Sequence, residues 1–279
     1  HPLRCSTFLY QTTYAAVQFE MRYRRFQKEA VQTMVHSLVS PFMGELMGTM
    51  VMILLGNGVV AGVLLKHSKA EGAGWLTITT AWGVAVFAGV VTSTAWGSAD
   101  AHLNPAITVA AAILSGDMHK LAVYIPAQIL GAMLGAMLVW LLYLPHWKVT
   151  EDANAKLGCF CTSPAIRKPT ANVVSEIIGA FVLFLVISAI LSKALAPQGL
   201  ALGLAPFLVG FLVWGIGMSL GGVTGYAINP ARDLGPRITH ALLPIEGKRD
   251  SDWSYAWIPI VGPLIGASLA ALVIRLFGV

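Results

Sequence analysis

The sequence predicts an all-α membrane protein, with six transmembrane helices and two re-entrant half-helices in two inverted repeats. Three observations carry this. Of 279 residues 56% are hydrophobic and only 11% charged, and mean hydropathy is +0.72, far more apolar surface than a water-soluble domain of this length hides. Two apolar stretches too short to cross a bilayer each open on the same tripeptide, Asn104-Pro105-Ala106 and Asn229-Pro230-Ala231. The residues around them also repeat: Gly44-Glu45-Leu46-Met47-Gly48 aligns with Ser175-Glu176-Ile177-Ile178-Gly179, and Gln128-Ile129-Leu130-Gly131-Ala132 with Pro263-Leu264-Ile265-Gly266-Ala267.

Residues 1–33 are expected to be an N-terminal extension, vector-derived or from an alternative start, with Met34 and Met21 as natural starts. A basic amphipathic segment on the inner membrane surface is the alternative, since Arg4, Arg22, Arg24, Arg25 and Lys28 lie there without the apolar run of a signal peptide. Spans follow at about Phe42–Leu65 and Trp75–Trp96, each near the twenty residues that cross about 30 Å of hydrocarbon. After Asn104 only about ten apolar residues precede Gly116, about 15 Å of helix, which suits a loop that dips in and returns as a half-helix. Span 3 covers about Leu121–Leu144, and Pro145–Thr170 reads as a mixed loop. The second half gives spans at about Val173–Ala194, Leu204–Leu220 and Tyr255–Phe277, with the second half-helix over Asn229–Leu243.

Each repeat holds three full spans, an odd number, so the second enters from the opposite face and the half-helices approach each other near the midplane. Pro105 and Pro230 stand at the first helical position, where the missing N–H costs nothing, and Asn104 and Asn229 cap the helix starts. Gly48, Gly131, Gly135, Gly179 and Gly266 have the spacing of small residues that let spans approach closely.

Composition also excludes functions. The net charge of +5 comes from Lys and Arg scattered over the tail and several loops, with no basic face for nucleic acid. Cys5, Cys159 and Cys161 are odd in number, and the last two are too close for an ordinary disulfide and lack His neighbours, so neither a disulfide framework nor a metal site is expected. No cluster of nucleophile, base and orienting group suggests an enzyme, and no cofactor is implied.

Two Asn-Pro-Ala boxes, one in each half of a six-span chain, resemble the aquaporin or major intrinsic protein family, and Arg232-Asp233 after the second box resembles its glycerol-conducting branch. The resemblance covers about residues 35 to 279. It implies an aquaglyceroporin channel domain over 34–279, with repeats at about 40–145 and 172–278, conducting glycerol and similar small uncharged solutes with some water. Both half-helix dipoles then point their positive ends at the pore centre and repel cations and protons. Asn104 and Asn229 would donate to passing oxygens.

The same resemblance implies a selectivity filter of Trp82, Gly217, Tyr226 and Arg232, in which the glycine clears space and the two aromatic rings form an apolar corner. The carbonyls of Asp100, Ala101 and His102, and of Gly225, Tyr226 and Ala227, would form a ladder of acceptors. Glu45 and Glu176 would brace the re-entrant loops by accepting backbone N–H groups. Asp233 marks the branch; its expected ion-pair partner is Arg237, one helical turn on. Ala99-Asp100-Ala101-His102 departs from the family's usual Ser-Gly-Ala-His. A carboxylate there is expected at the inner mouth, favouring neutral or cationic solutes, with His102 either a pH gate or a packed loop histidine.

Loop charges do not fix orientation, so cytoplasmic termini in the cell membrane, like assembly as a homotetramer, are implied by the resemblance alone. Other readings remain: a water-selective channel, a channel for dihydroxyacetone, urea or protonated lactic acid, a coupled secondary transporter, or a non-transporting membrane scaffold.

Overall fold

The computed structural model describes residues 20–22, 24–25, 40–201 and 203–278. Its contacts divide the chain into two units, His1–Ser40 and Pro41–Val279. In the first, the described residues from 20 to 25 are helical, with Arg24 Nε donating to Glu20 Oε1 at 2.9 Å. The rest of the expected extension lies outside the described residues.

The regular elements described in the second unit are all helices: α1 (Pro41–Leu64), α2 (Gly74–Ala95), α3 (Pro105–Ser115), α4 (His119–Leu142), α5 (Leu144–Val149), α6 (Ala153–Gly158), α7 (Pro169–Leu191), α8 (Leu204–Leu220), α9 (Pro230–Leu242) and α10 (Ile258–Phe277). Helices α1, α2, α4, α7 and α10 are long and apolar enough to cross a membrane. The sixth span, α8, has 17 residues, about 26 Å of helix against about 30 Å of hydrocarbon. Helices α3 and α9, with 11 and 13 residues, are half-length.

Both half-helices start as their sequences dictate. Asn104 and Asn229 are extended at φ −155° and −152°, and each side-chain oxygen accepts from the N–H two residues on, at 2.9 and 3.0 Å. Proline follows in both, where it removes an N–H that has no intrahelical partner. Helix α3 ends at Gly116, whose φ of 76° supplies the left-handed residue that closes a helix. Helix α9 is stopped differently: Lys248 Nζ donates to the carbonyls of His240, Ala241 and Leu243.

One segment differs from expectation. The stretch Pro145–Thr170, read as irregular, carries α5 and α6. Pro145 opens α5, and the Asp152 carboxylate caps α6 by accepting from Asn154 N at 2.8 Å and Ala155 N at 3.2 Å. These short helices bury Trp147 and Leu157 beneath the connection. Their apolar residues are too few for periodicity to reveal.

Packing follows the repeat. Helix α1 packs on α2 and α4, α7 packs on α10, α2 meets α8, and each half-helix lies against the last span of the other repeat, α3 on α10 and α9 on α4. The two glycines aligned from sequence occupy equivalent crossings: a methyl at Gly131 would overlap the carbonyl oxygen of Leu46, and one at Gly266 that of Ile177. The α2–α8 crossing relies on Gly83 and Gly210, each of whose added Cβ would lie within 2.8 Å of the other's carbonyl oxygen.

Candidate functional site

The loops that lead into the two half-helices have the same backbone. In each, the residues one and three positions before the Asn take positive φ: Leu103 (53°) and Ala101 (45°) in the first, Ile228 (42°) and Tyr226 (39°) in the second. Such values are uncommon for residues other than glycine and need external support. The two carboxylates supply it. Glu45 Oε1 accepts from His102 N (2.8 Å) and Ser98 Oγ (2.7 Å), and Oε2 from Leu103 N (2.7 Å) and Gln128 Nε2 (2.8 Å). Glu176 Oε1 accepts from Ala227 N (3.0 Å) and Thr224 Oγ1 (2.6 Å), and Oε2 from Ile228 N (2.7 Å). Both glutamates are buried, and these charge-assisted bonds offset the cost of a carboxylate in a span.

The loops are also tied to each other. Asn104 Nδ2 donates to the carbonyl of Ile228 and Asn229 Nδ2 to that of Leu103, both at 2.8 Å. An amide NH2 carries two hydrogens, so each Asn keeps one donor after this bond. Both Asn residues line a cavity of about 660 Å³. Asp100, Ala101 and His102 are on its wall, as are Tyr226 and Ala227, whereas Gly225 and Gly217 are not.

Arg232, buried one turn into α9, lies against the face of Trp82, with its guanidinium carbon 4.4 Å from the ring centroid. Its Nη1 donates to the carbonyl of Phe160 at 3.2 Å, its one side-chain hydrogen bond among the described residues. Tyr226 meets Trp75 edge to face at 5.8 Å. Gly217 serves this ring: an added Cβ would stand 2.8 Å from Tyr226 Cζ and 2.9 Å from its hydroxyl. The space cleared by Gly217 is therefore occupied by the Tyr226 ring. Gly56 does the same for Trp82, whose ring lies 2.5–2.6 Å from where its Cβ would be.

Asp233 does not pair with its neighbour Arg232. It binds Arg237 through Nε at 2.7 Å and Nη2 at 3.0 Å, and accepts from Thr162 N and Oγ1 at 2.8 and 2.7 Å. Arg237 also donates to the carbonyls of Ser251, Asp252 and Thr162. This fully buried pair clamps the α6–α7 connection over α9. Within that connection the free thiols of Cys159 and Cys161 are buried, which pushes both well above the ordinary thiol value.

At the other end of the cavity Asp100 is not a free carboxylate. Lys120 Nζ lies 2.7 Å from its Oδ2, and the Tyr124 hydroxyl donates to the same oxygen at 2.8 Å. The carboxylate at this mouth is thus ion-paired with the Lys120 ammonium. His102 packs on Tyr124 at 5.1 Å, with Nδ1 3.2 Å from Thr108 Oγ1. Among the described residues no group of His, Cys, Asp and Glu side chains could hold a metal ion.

A family model for the major intrinsic proteins matches residues 32–274. The chain belongs to the major intrinsic protein family. Among its curated relatives are a probable glycerol uptake facilitator protein of Thermotoga maritima, 55% identical over 234 residues (84% of this chain and 97% of that protein), and the glycerol uptake facilitator protein of Streptococcus pneumoniae, 51% identical over 241 residues (86% and 100%). The solved aquaglyceroporin of Plasmodium falciparum superposes with a TM-score of 0.74 at 30% identity, covering 84% of this chain and 93% of that one.

In this major intrinsic protein, sequence reading missed Gly56, Gln128 as a donor to Glu45, and the Phe160 carbonyl. Gly56 carried a weak signal, as a glycine in an apolar span. A backbone carbonyl carries none.

Proposed function

We propose that the chain is a passive channel of the cell membrane that conducts glycerol and similar small uncharged solutes, with some water, and excludes ions and protons. The observation that carries this is the wall around Arg232: a guanidinium with one acceptor among the described residues, on the cavity wall beside Trp82 and Tyr226. The remaining N–H groups meet a solute's hydroxyls while the two rings meet its C–H edge, which suits a polyol better than a lone water. The resemblance to glycerol uptake facilitators supports the same substrate class.

In this reading Trp82, Tyr226 and Arg232 form the selectivity filter, with Gly217 behind Tyr226. Carbonyls of Asp100, Ala101, His102, Tyr226 and Ala227 serve as the acceptor ladder; Gly225, off the cavity wall, sets the bend of its loop with a φ of 79°. The boxes Asn104-Pro105-Ala106 and Asn229-Pro230-Ala231 orient single-file oxygens through the free Asn donors. The paired half-helix dipoles disfavour cations there, so a water file carries no protons. Glu45 and Glu176 hold the ladders, and Asp233 holds the outer connection. The channel domain is residues 34–279, its termini are cytoplasmic, and it works as a homotetramer with one pore in each subunit.

The test is stopped-flow light scattering of proteoliposomes, comparing shrinkage under an impermeant osmolyte with re-swelling under glycerol. Fast re-swelling without proton leak is expected. Fast water flow with no glycerol entry would replace this reading with a water channel, and uptake against a gradient would replace it with a coupled transporter.

A further inference from the structure

Asn57 lies in α1, fully buried, 103 residues from its partner Phe160. Its Nδ2 donates at 3.0 Å to the Phe160 carbonyl, the same oxygen that accepts Arg232 Nη1 at 3.2 Å. A carbonyl oxygen has two lone pairs, and here one is taken by a fixed amide and the other by the guanidinium. The amide oxygen of Asn57 has no hydrogen-bond partner among the described residues. Burying an amide half-satisfied in an apolar span works against folding, so its packing does not explain it. Its neighbour Gly56 backs Trp82, the ring on which Arg232 lies. Two consecutive residues of α1 thus set two of the surfaces that locate one guanidinium.

We propose that Asn57 is a positioning residue for Arg232: by holding the Phe160 carbonyl in one orientation it fixes the angle at which the guanidinium presents its free N–H groups to the lumen. It touches no solute. Without it, the carbonyl is anchored only through its own connection, clamped two residues on where Asp233 holds Thr162, and the guanidinium gains freedom about Nη1. A polyol that must meet two donors at once is affected more than a single water.

The inference rests on the channel reading, and its test separates the two. Asn57→Leu removes the donor and the unpaired oxygen together. Its glycerol-to-water permeability ratio is expected to fall by roughly fivefold, while its melting temperature in detergent holds or rises. Asn57→Ala, which deletes the same donor without adding bulk, is read if the leucine variant does not fold. Each is repeated in an Arg232→Ala background, where the ratio is expected to change by less than about 1.5-fold, the non-additivity of residues acting through one another. An unchanged ratio in folded Asn57→Leu, or an equal fall in both backgrounds, overturns the proposal. No glycerol flux in the wild type sinks the channel's assigned substrate instead; the cycle is then read on water flux and proton leak past the same guanidinium, where the same coupling is expected and its absence overturns the inference.

Discussion

Adding one methyl group at Gly217 tests the constriction without replacing any residue that lines it. The built Cβ stands 2.8 Å from Tyr226 Cζ, 2.9 Å from its hydroxyl oxygen and 3.1 Å from Thr79 Cγ2, where ordinary contact begins near 3.4 Å. Tyr226 must therefore retreat by at least about 0.6 Å, because close-packed interiors have little slack. Gly217 and Gly221 lie one turn apart and both face this ring, since a Cβ built at Gly221 would stand 2.4 Å from Tyr226 Cδ1, so the retreat is away from α8, and the ring that moves lines the cavity. Overpacking of this size costs about 1–3 kcal/mol. If it falls on the solute that fills the constriction, glycerol permeability drops roughly 5- to 150-fold, while water, needing less width, loses less than about twofold. Stopped-flow scattering reads both rates on one preparation of Gly217→Ala. Adding Tyr226→Phe removes one of the two crowded atoms and should restore part of the glycerol rate. A proportional fall in both rates, or none in either, would show that this wall does not set the width.

Asp233→Asn leaves Arg237 charged and fully buried, so it should destabilise the protein by about 3–5 kcal/mol in detergent melting experiments, while Asp233→Leu with Arg237→Leu loses clearly less; equal losses would refute the pair's ionic character. Asp100→Asn should leave glycerol flux and discrimination against anions within about twofold of wild type in liposome assays, because the half-exposed ion pair it breaks contributes about 0–1 kcal/mol. Maleimide at pH 8 should leave Cys159 and Cys161 unlabelled in the folded protein and label both after denaturation, since burial raises their thiols and only the thiolate reacts; labelling of the folded protein, read by mass spectrometry, would show that the α6–α7 connection opens.

Much of the scaffold could be read before the coordinates. Asn-Pro pairs announce helix starts through local chemistry, and the five long spans and both half-helices begin within four residues of where composition puts them. Gly131 and Gly266 were recognisable because a repeat doubles each signal. The site was legible only in part. Tyr226 and Arg232 flank the second Asn-Pro-Ala box and Trp82 is reached through the family resemblance, but the glycines beneath the two rings act on residues 26 positions away for Gly56 and 9 for Gly217, with no periodicity to mark the pairing. Asp100 shows the same limit: a lone carboxylate in sequence acquires Lys120 and Tyr124 only once α4 folds beside it. The Phe160 carbonyl is common to every residue type, so only three-dimensional structure distinguishes it.

The reciprocal bonds at the midplane also bear on how the protein is made. Asn104 reaches a carbonyl 124 residues away and Asn229 one 126 residues away. At a synthesis rate of about 5–20 residues per second, the first loop waits roughly 6–25 s for its counterpart. Throughout that interval the Leu103 carbonyl and the Asn104 amide lack the partners they finally take. Neither half contains a conduit on its own; it comes into being when the second loop docks. A chain arrested before residue 229 therefore holds only one side of the cavity wall, with its midplane amide and carbonyl still unmatched.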